Sequence, residues 1–324
     1  MTFSSIIGHE QQKEILRRAL LNGRLAHAYL FEGPEGIGKR LMALALARAL
    51  ACQTGKGCGD CAACRKIDHN NHPDLHILDA EGALIKIDQV RQMQKELSLR
   101  PMEAEYKICL IDGAEWLNPA AGNALLKTLE EPQGKALLIL LTGHPEALLD
   151  TIRSRCQRLP FRRLAQNRLA EILESRLELK EIEAKVLAAL SEGSFKKAFG
   201  NNRDLYLEQR RELIRSLIAL SSGSIFPLME LAQKLAEDKE QLPEILDIYQ
   251  AFYRDLLLLL HGRPEEDLVN LDLREILHRQ VQRETVAGLI HKLEALDEGR
   301  LHLKRNVNRQ LAMEVMLMRI STAA

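Results

Sequence analysis

Near its start the chain contains the run His27-Ala28-Tyr29-Leu30-Phe31-Glu32-Gly33-Pro34-Glu35-Gly36-Ile37-Gly38-Lys39-Arg40. A short apolar segment leads into a turn that fits the pattern GxxxxGK, and a helical pattern over residues 41–51 follows. Glycines let backbone N–H groups approach phosphates, the helix N-terminus adds unpaired N–H groups, and the lysine can reach the β- and γ-phosphates. The run therefore predicts a strand, a phosphate loop and a helix, and it favours a P-loop α/β fold over a coincidental glycine turn.

Two positions depart from the residues that magnesium binding requires. The residues expected to cradle phosphate are Gly33, Gly36, Gly38 and Lys39. Arg40 then stands where a P-loop has the Ser or Thr that coordinates Mg²⁺. Asp112 ends a second apolar run, but Gly113 follows where a water-activating Glu is usual, and Glu115 is either a displaced base or an exposed acid at a helix start. We expect a degenerate nucleotide site in which ATP and Mg²⁺ binding is in doubt and hydrolysis does not occur.

Short apolar runs alternate with amphipathic stretches in the first half of the chain, which is typical of a parallel sheet covered by helices. The predicted strands span residues 28–31, 75–78, 108–111, 137–141 and 158–161, and the predicted helices include residues 41–51, 88–97 and 119–129. The last helix has Asn118 as its expected cap and a proline at its first position. We predict an α/β P-loop domain over residues 1–163, a small helical domain over 164–203 and an all-α bundle of about five helices over 204–324.

Four cysteines follow the first helix of the predicted α/β domain, in a glycine-rich polar segment. They are Cys52, Cys58, Cys61 and Cys64. Four soft thiolates at the spacing C-x5-C-x2-C-x2-C can close a tetrahedron around Zn²⁺. A redox pair and an iron–sulfur cluster are the alternatives, and zinc is favoured because nothing in the sequence indicates electron transfer. The sequence predicts a structural zinc module inserted over residues 52–64.

The overall composition limits the classes of function. Among 324 residues, 45 Lys and Arg balance 45 Asp and Glu, so no global positive field indicates tight independent binding of nucleic acid. Aromatic residues form 4% of the chain, too few for a platform that stacks single-stranded bases. The longest leucine run, residues 256–260, is far shorter than the roughly 20 residues of a membrane helix, and no signal sequence is apparent. We expect a cytoplasmic protein without membrane contact.

Three arginines, Arg153, Arg155 and Arg158, lie close together at the end of the predicted α/β domain. A solvated basic turn is the simplest explanation. The functional alternative is an arginine finger, which places a guanidinium against the γ-phosphate that a neighbouring subunit holds. The three residues alone leave both interpretations open.

Taken in chain order, these motifs resemble the bacterial DNA polymerase III clamp-loader family of AAA+ proteins. The resemblance rests on Ile7-Gly8-His9-Glu10-Gln11, on the segment 27–40, on the four cysteines and on the segment 122–132, which reads GNALLKTLEEP. Ser154-Arg155-Cys156 matches the SRC element of the family, whose arginine acts on the nucleotide of the next subunit. The resemblance implies that Arg155 is an arginine finger in trans, that Thr142 occupies the first sensor position and that Lys197 replaces the arginine of the second sensor.

Within that family, the zinc module and the SRC element occur in an ATP-hydrolysing motor subunit, gamma or tau, and in a stator subunit. Arg40 and Gly113 favour the stator, because the motor is expected to keep Thr after the lysine and Asp-Glu at the second acid. The resemblance then implies a lid domain and a collar that join the chain to gamma or tau and delta subunits in a hetero-pentamer. The resemblance also implies that the complex opens a sliding clamp at primed DNA and that the chain is a non-catalytic subunit of the polymerase holoenzyme.

Two other hypotheses predict different experimental behaviour. In an active ATPase, either a motor subunit or another AAA+ protein, Asp112 and Glu115 would share the metal and base roles. In a zinc-stabilised DNA-binding module, cations around Lys127 would contact phosphates, although the balanced charge argues against such a module acting alone. ATP turnover by the chain identifies the first, and salt-dependent DNA affinity of the isolated chain identifies the second.

Overall fold

The computed structural model describes residues 2–80, 84–132, 134–200, 203–220, 225–305 and 307–322. The chain divides into two compact units, Met1–Leu164 and Ala165–Ala324. The boundary lies one residue beyond the predicted end of the α/β domain, so Leu164 belongs to the first unit and the remainder of the two predicted helical regions belongs to the second. Among the described residues, no helix combines the length and the apolar character needed to cross a bilayer.

A parallel sheet forms the centre of the first unit. Its strands are β1 (Ala28–Glu32), β2 (Leu75–Leu78), β3 (Lys107–Asp112), β4 (Ala136–Thr142) and β5 (Gln157–Pro160). They are arranged in the order β2-β3-β4-β1-β5, and each neighbouring pair is parallel. The five predicted strands are confirmed, with ends that differ by at most one residue. All five strands run in one direction, so their carboxyl ends meet at a single edge, where ligands bind in open α/β sheets.

Helices cover both faces of this sheet, which explains why its central strands are continuous apolar runs. The α-helices of the first unit are α1 (Glu10–Leu21), α2 (Lys39–Ala51), α3 (Ala62–Asp68), α4 (Ile87–Ser98), α5 (Pro119–Glu130) and α6 (Asp150–Arg153). Successive residues of β4 pack into different hydrophobic cores. Ile139 belongs to the core that includes residues of α1 and α2, and Leu140 belongs to the core that includes residues of α4 and α5. Asn118 caps α5 as predicted, since its Oδ1 accepts a hydrogen bond of 2.8 Å from the Ala121 N–H.

The second unit is helical throughout its described residues. Its α-helices are α7 (Gln166–Leu177), α8 (Glu181–Leu190), α9 (Phe195–Phe199), α10 (Arg210–Ile218), α11 (Ile225–Glu237), α12 (Leu242–Leu260), α13 (Arg274–Val281), α14 (Val286–Lys304) and α15 (Arg309–Thr322). A π-helical turn, Leu205–Gln209, leads into α10. The described part of the chain after residue 204 thus contains six α-helices, where the sequence predicts about five.

A buried polar network joins α10 and α12 to the segment before α13. Asp255 on α12 accepts hydrogen bonds from the N–H groups of Val269 (3.0 Å) and Asn270 (2.7 Å). Arg210 on α10 donates to the Asn270 side chain and to both carboxylate oxygens of Asp272. Both Arg210 and Asp255 are buried, and burial raises the pKa of Asp255 in spite of these bonds. The network fixes the chain path on one side of the helical unit, because breaking it would leave charged groups buried without partners.

Candidate functional site

The phosphate loop lies at the carboxyl edge of the sheet, between β1 and α2. The Gly33 N–H donates to the Thr142 carbonyl at 3.1 Å, which ties the loop to the end of β4. Gly33 has a φ of 144°, and a Cβ at this position would lie 2.2 Å from the carbonyl oxygen of Phe161, so only glycine fits there. Gly36 and Gly38 have φ values of 74° and 102°, in the region that favours glycine. The three glycines form the sharp turn that the motif predicts.

Lys39 turns back onto the loop that precedes it. Its side chain is buried, and its ammonium group donates to the carbonyl oxygens of Gly33 and Pro34, the latter at 2.7 Å. Burial lowers the pKa of Lys39, and nearby carboxylates, chiefly that of Glu115, oppose this effect. Lys39 Nζ, the atom that contacts phosphate in a P-loop, therefore stabilises the loop backbone here.

Arg40 occupies the place of a metal ion beside the loop. Its Nη1 atom lies 2.7 Å from Asp112 Oδ2 and 3.3 Å from Asp79 Oδ1. Asp112 ends β3 and Asp79 follows β2, so both acids come from the carboxyl edge of the sheet. In a P-loop protein, the residue at the position of Arg40 and an acid like Asp112 together hold Mg²⁺. A guanidinium on the chain therefore supplies positive charge where the motif calls for a bound cation.

Glu115 and Thr142 organise the turn that follows β4. Glu115 Oε1 accepts a hydrogen bond of 2.8 Å from the Gly143 N–H, and Thr142 Oγ1 accepts one of 3.0 Å from the His144 N–H. Thr142 is buried and Glu115 is half-buried, so Glu115 is not the exposed helix-start acid that one interpretation predicts. Among the described residues, Glu115 Oε2 is buried and has no hydrogen-bond partner. Both side chains hold the backbone beside the phosphate loop.

Each arginine of the predicted basic turn has an acidic partner. The pairs are Arg153 with Asp150, Arg155 with Glu130, and Arg158 with Glu32. Arg155 lies just after α6, where its Nη2 is 2.8 Å from Glu130 Oε1, and the two side chains are 37% and 50% exposed. An exposed pair of this kind contributes about 0–1 kcal/mol, so Arg155 can leave Glu130 for another anion at small cost.

Lys197 lies on α9 in the helical unit, where it forms an ion pair with α12. Its Nζ donates to Asp247 Oδ2 at 2.6 Å, and Arg300 Nη1 on α14 is 2.6 Å from Asp247 Oδ1. One carboxylate thus joins three helices. The sequence indicates a cation at the second sensor position but gives no sign of this carboxylate, which is fifty residues farther along the chain.

The four cysteines converge as predicted. Cys52 follows α2, Cys61 caps α3 and Cys64 lies within α3, and all four Sγ atoms of the cluster lie within 4.8 Å of one another. The Cys52 Sγ atom is 3.6 Å from that of Cys58 and 3.9 Å from that of Cys61. Ligands at about 2.3 Å in a tetrahedron are about 3.8 Å apart, so the cluster is compatible with a bound metal ion.

The thiols of this cluster differ in acidity. Burial acts to raise the pKa of Cys52, but hydrogen bonds from Thr54 and Cys58 outweigh it and lower that pKa to about 5. Burial raises the pKa of Cys64 to about 12. A metal ion binds thiolates, so a cation at this site would take up the negative charge that burial disfavours at Cys64.

An ion pair between the buried Arg48 and the exposed Asp68 supports the cysteine cluster, and the sequence patterns do not indicate it. Arg48 on α2 pairs with Asp68 at the end of α3, and the Arg48 carbonyl accepts a hydrogen bond of 2.8 Å from the Cys52 N–H. Burial lowers the pKa of Arg48, whereas the neighbouring Cys64 acts to raise it. The pair connects α2, which Cys52 follows, to α3, which Cys61 precedes. Its partners are distant in sequence and belong to no motif, so only the folded chain reveals it.

The parallel sheet and the glycine-rich loop together define a P-loop α/β unit, and the rest of the chain forms a helical unit. Residues 8–165 match the family model described as DNA polymerase III, delta subunit, and residues 205–322 match the model described as DNA polymerase III, delta subunit, C terminal. The chain belongs to this DNA polymerase III subunit family.

Individual relatives agree with the family models. The delta-prime subunit of DNA polymerase III from Bacillus subtilis is 32% identical over 309 residues, which cover 93% of this chain and 92% of that protein. The delta-prime subunit from Pseudomonas aeruginosa is 34% identical over 311 residues, with 92% and 93% covered. The tau subunit from Bacillus subtilis is 27% identical over 348 residues, which cover 98% of this chain and 61% of tau. The chain is thus similar in extent to the delta-prime subunits and shorter than tau.

Proposed function

We propose that the chain is a stator of the delta-prime type in the cytoplasmic DNA polymerase III clamp loader. In this role it supports ATP-dependent loading of a sliding clamp onto primed DNA without hydrolysing ATP itself. The ion pair of Arg40 with Asp112 carries the proposal, because it fills the position where a motor subunit would bind Mg²⁺. The similarity to delta-prime subunits over more than nine-tenths of the chain supports it.

The rest of the loop favours the same conclusion. Lys39 donates to two carbonyl oxygens of its own loop, and Gly113 leaves no carboxylate directly after Asp112. Glu115, the alternative base, holds the Gly143 N–H. Any nucleotide that bound at Gly33, Gly36, Gly38 and Lys39, with Thr142 and Lys197 in the sensor positions, would therefore meet neither a metal site nor a free base. Phosphoryl transfer depends on both positioning and charge neutralisation, so we expect no turnover at this loop.

We further propose that Arg155 acts in trans on ATP held by a neighbouring gamma or tau subunit. Arg155 is partly exposed and forms an ion pair with the exposed Glu130, and its guanidinium also donates to the Thr151 carbonyl at 3.1 Å. A departing γ-phosphate carries more negative charge than Glu130, so the guanidinium would exchange partners and stabilise that charge. In this arrangement residues 164–203 form the lid, and residues 204–324 form the collar that joins the chain to gamma or tau and delta subunits.

The decisive experiment measures Mg²⁺-dependent ATP turnover by the chain alone and by a reconstituted clamp loader. We expect no turnover from the chain alone. In the complex, Arg155→Ala should slow the neighbouring ATP site by roughly 10³-fold or more, which is the usual contribution of an arginine finger. The matched control is Arg153→Ala. Arg153 lies two residues before Arg155 and pairs with Asp150, so its removal should have little effect on the ATP turnover of the complex.

The opposite result would identify a motor subunit. Turnover by the chain alone that Lys39→Ala abolishes and Arg155→Ala leaves unchanged would contradict both parts of the proposal. Steep salt-dependent binding of DNA by the isolated chain would instead favour a DNA-binding module.

We propose that the cysteine cluster holds a structural Zn²⁺ ion. Four thiolates with no open position are typical of closed zinc sites, and the sulfur spacing fits tetrahedral coordination. We expect one zinc and no iron per chain by elemental analysis, and we expect Cys58→Ser/Cys61→Ser to lose the metal. Iron, or full occupancy in the double variant, would contradict the assignment; Cys109→Ser, in a buried strand outside the cluster, is the control.

A further inference from the structure

A groove in the helical unit is rich in arginine, and the proposed clamp-loader chemistry does not use it. Its basic lining residues are Arg211, Arg215, Arg274, Arg279 and Arg283, and we call this surface the arginine groove. It has a volume of about 890 Å³ and is formed by the start of α8, by α10, by α13 and by the turn Leu271–Leu273. Its size falls within the range of ligand-binding pockets, roughly 300–1,000 Å³.

The positive charge of the arginine groove is only partly neutralised by the chain. Two carboxylates, Asp272 and Glu275, line it beside the five arginines, and Asp272 already binds the buried Arg210. Arg215 and Arg274 have partners outside the lining, Glu212 at 4.0 Å and Glu265 at 3.2 Å. Within the described ranges, no carboxylate lies within 4.0 Å of the guanidinium groups of Arg211, Arg279 or Arg283. The whole chain has equal numbers of basic and acidic residues, so this excess is local. Neighbouring like charges repel one another, and a bound anion would relieve that repulsion.

Part of the lining of the arginine groove is aliphatic. Its apolar residues include Ile182, Ile218, Leu271 and Ile276, which are exposed or half-buried. None of the lining residues is aromatic, so the groove offers no ring on which nucleic-acid bases could stack. Guanidinium groups beside aliphatic side chains complement a ligand that has both carboxylates and aliphatic side chains, and a phosphate backbone has neither.

We propose that the arginine groove binds a short acidic peptide segment, with aliphatic side chains, of a protein partner. Guanidinium groups bind carboxylates through two parallel hydrogen bonds, which makes arginine better suited than lysine to this recognition. The aliphatic lining residues would contact the peptide's apolar side chains, and the exposed arginines would speed encounter and set the charge preference. The inference does not depend on the role of Arg155 or on the absence of ATP turnover.

The test uses the full-length chain and a fluorescein-labelled peptide, Asp-Glu-Leu-Asp-Glu-Ile-Leu-Asp, with binding followed by fluorescence anisotropy. We expect saturable binding that weakens as salt increases and that is lost when Asn and Gln replace the acidic residues of the peptide. Arg279→Glu/Arg283→Glu should weaken binding at least tenfold, and Arg279→Gln/Arg283→Gln should weaken it less. The matched control is Arg91→Glu/Lys95→Glu, which makes the same change in net charge at exposed positions of α4 and should bind like the parent. Circular dichroism checks that each variant folds.

Three results would overturn the proposal. The first is an absence of peptide binding, or binding that is equal in the groove variant and in the α4 control. The second is a single-stranded or duplex DNA that binds through Arg279 and Arg283 more tightly than the peptide does, which would make the groove a nucleic-acid site. The third is loss of peptide binding when the chain is assembled with gamma or tau and delta subunits, which would make it a subunit interface.

Discussion

Arg40 shows how one residue can remove a Mg²⁺ ligand from a loop that otherwise fits the GxxxxGK pattern. The backbone of the loop keeps its glycines and its hydrogen bond to β4, but the position that normally contributes a hydroxyl to Mg²⁺ carries a guanidinium. The sequence predicts the loss of a metal ligand here. It does not predict that Asp79 and Asp112 become partners of the replacing side chain, because those acids lie 39 and 72 residues away.

We predict that Arg40→Thr allows Mg²⁺-dependent nucleotide binding. The substitution frees Asp112 and Asp79 and supplies the hydroxyl that the motif uses for Mg²⁺. The affinity for a fluorescent ATP analogue should increase at least tenfold in Mg²⁺ relative to the parent chain, and EDTA should remove the gain. Arg40→Lys keeps a cation and should show no gain. Equal affinities of Arg40→Thr and the parent in Mg²⁺ would show that Arg40 does not block a metal site.

At the scale of elements, local patterns predict most of the first unit. Strands and helices follow from apolar periodicity, and the cap of α5 follows from Asn118 beside a proline. The cysteine cluster is also predictable, since its four ligands lie within thirteen residues. Contacts between distant elements are not predictable in this way, and Asp74 at the start of β2 is an example. Asp74 is buried and accepts hydrogen bonds from the N–H groups of Met102, Glu103 and Ala104.

We predict that Asp74→Asn lowers the free energy of unfolding of the first unit by about 2 kcal/mol at neutral pH. Burial acts to raise the pKa of Asp74, but the backbone bonds and Lys107 outweigh it and lower that pKa to about 2, from an ordinary 3.8. The stabilisation from the charged form is therefore complete above about pH 4 and is lost as the pH falls toward 2. Urea unfolding followed by Trp116 fluorescence measures the difference.

The pH dependence provides the internal check on this prediction. The difference between the parent and Asp74→Asn should be smaller at pH 3 than at pH 7, because the parent's Asp74 begins to protonate there in the unfolded chain. Asp88→Asn is the control, since Asp88 is 86% exposed and lies 3.7 Å from Arg91, and it should change stability by less than about 0.5 kcal/mol. A constant difference across this range would mean that the charge of Asp74 contributes nothing.

At the scale of the whole molecule, sequence patterns do not predict the strand order or the long-range ion pairs. The order β2-β3-β4-β1-β5 requires crossovers whose directions no single segment encodes. The helical unit is similar, because Asp247 on α12 joins Lys197 on α9 to Arg300 on α14. Periodicity predicts the helices themselves, but their number after residue 204 and their mutual contacts depend on packing.

We predict that Asp247→Asn destabilises the helical unit by about 2 kcal/mol, because Lys197 and Arg300 would then share no anion. Thermal unfolding followed by far-UV circular dichroism measures the loss. Trp116, the one tryptophan of the sequence, lies in the first unit, so its fluorescence transition should change less. Asp267→Asn removes a more exposed pair with Arg263 and should cost less than about 0.5 kcal/mol. Equal effects of the two substitutions would contradict a joining role for Asp247.

The guanidinium beside the phosphate loop has a thermodynamic consequence for the whole chain. The stabilisation that a diffusible ion gives to a protein depends on how much of the ion is present, whereas a cation that is covalently part of the chain is always present. The stabilisation that Arg40 gives to Asp79 and Asp112 should therefore be independent of the magnesium concentration. Stability at this position would then be a fixed property of the chain and would not respond to the metal content of the solution.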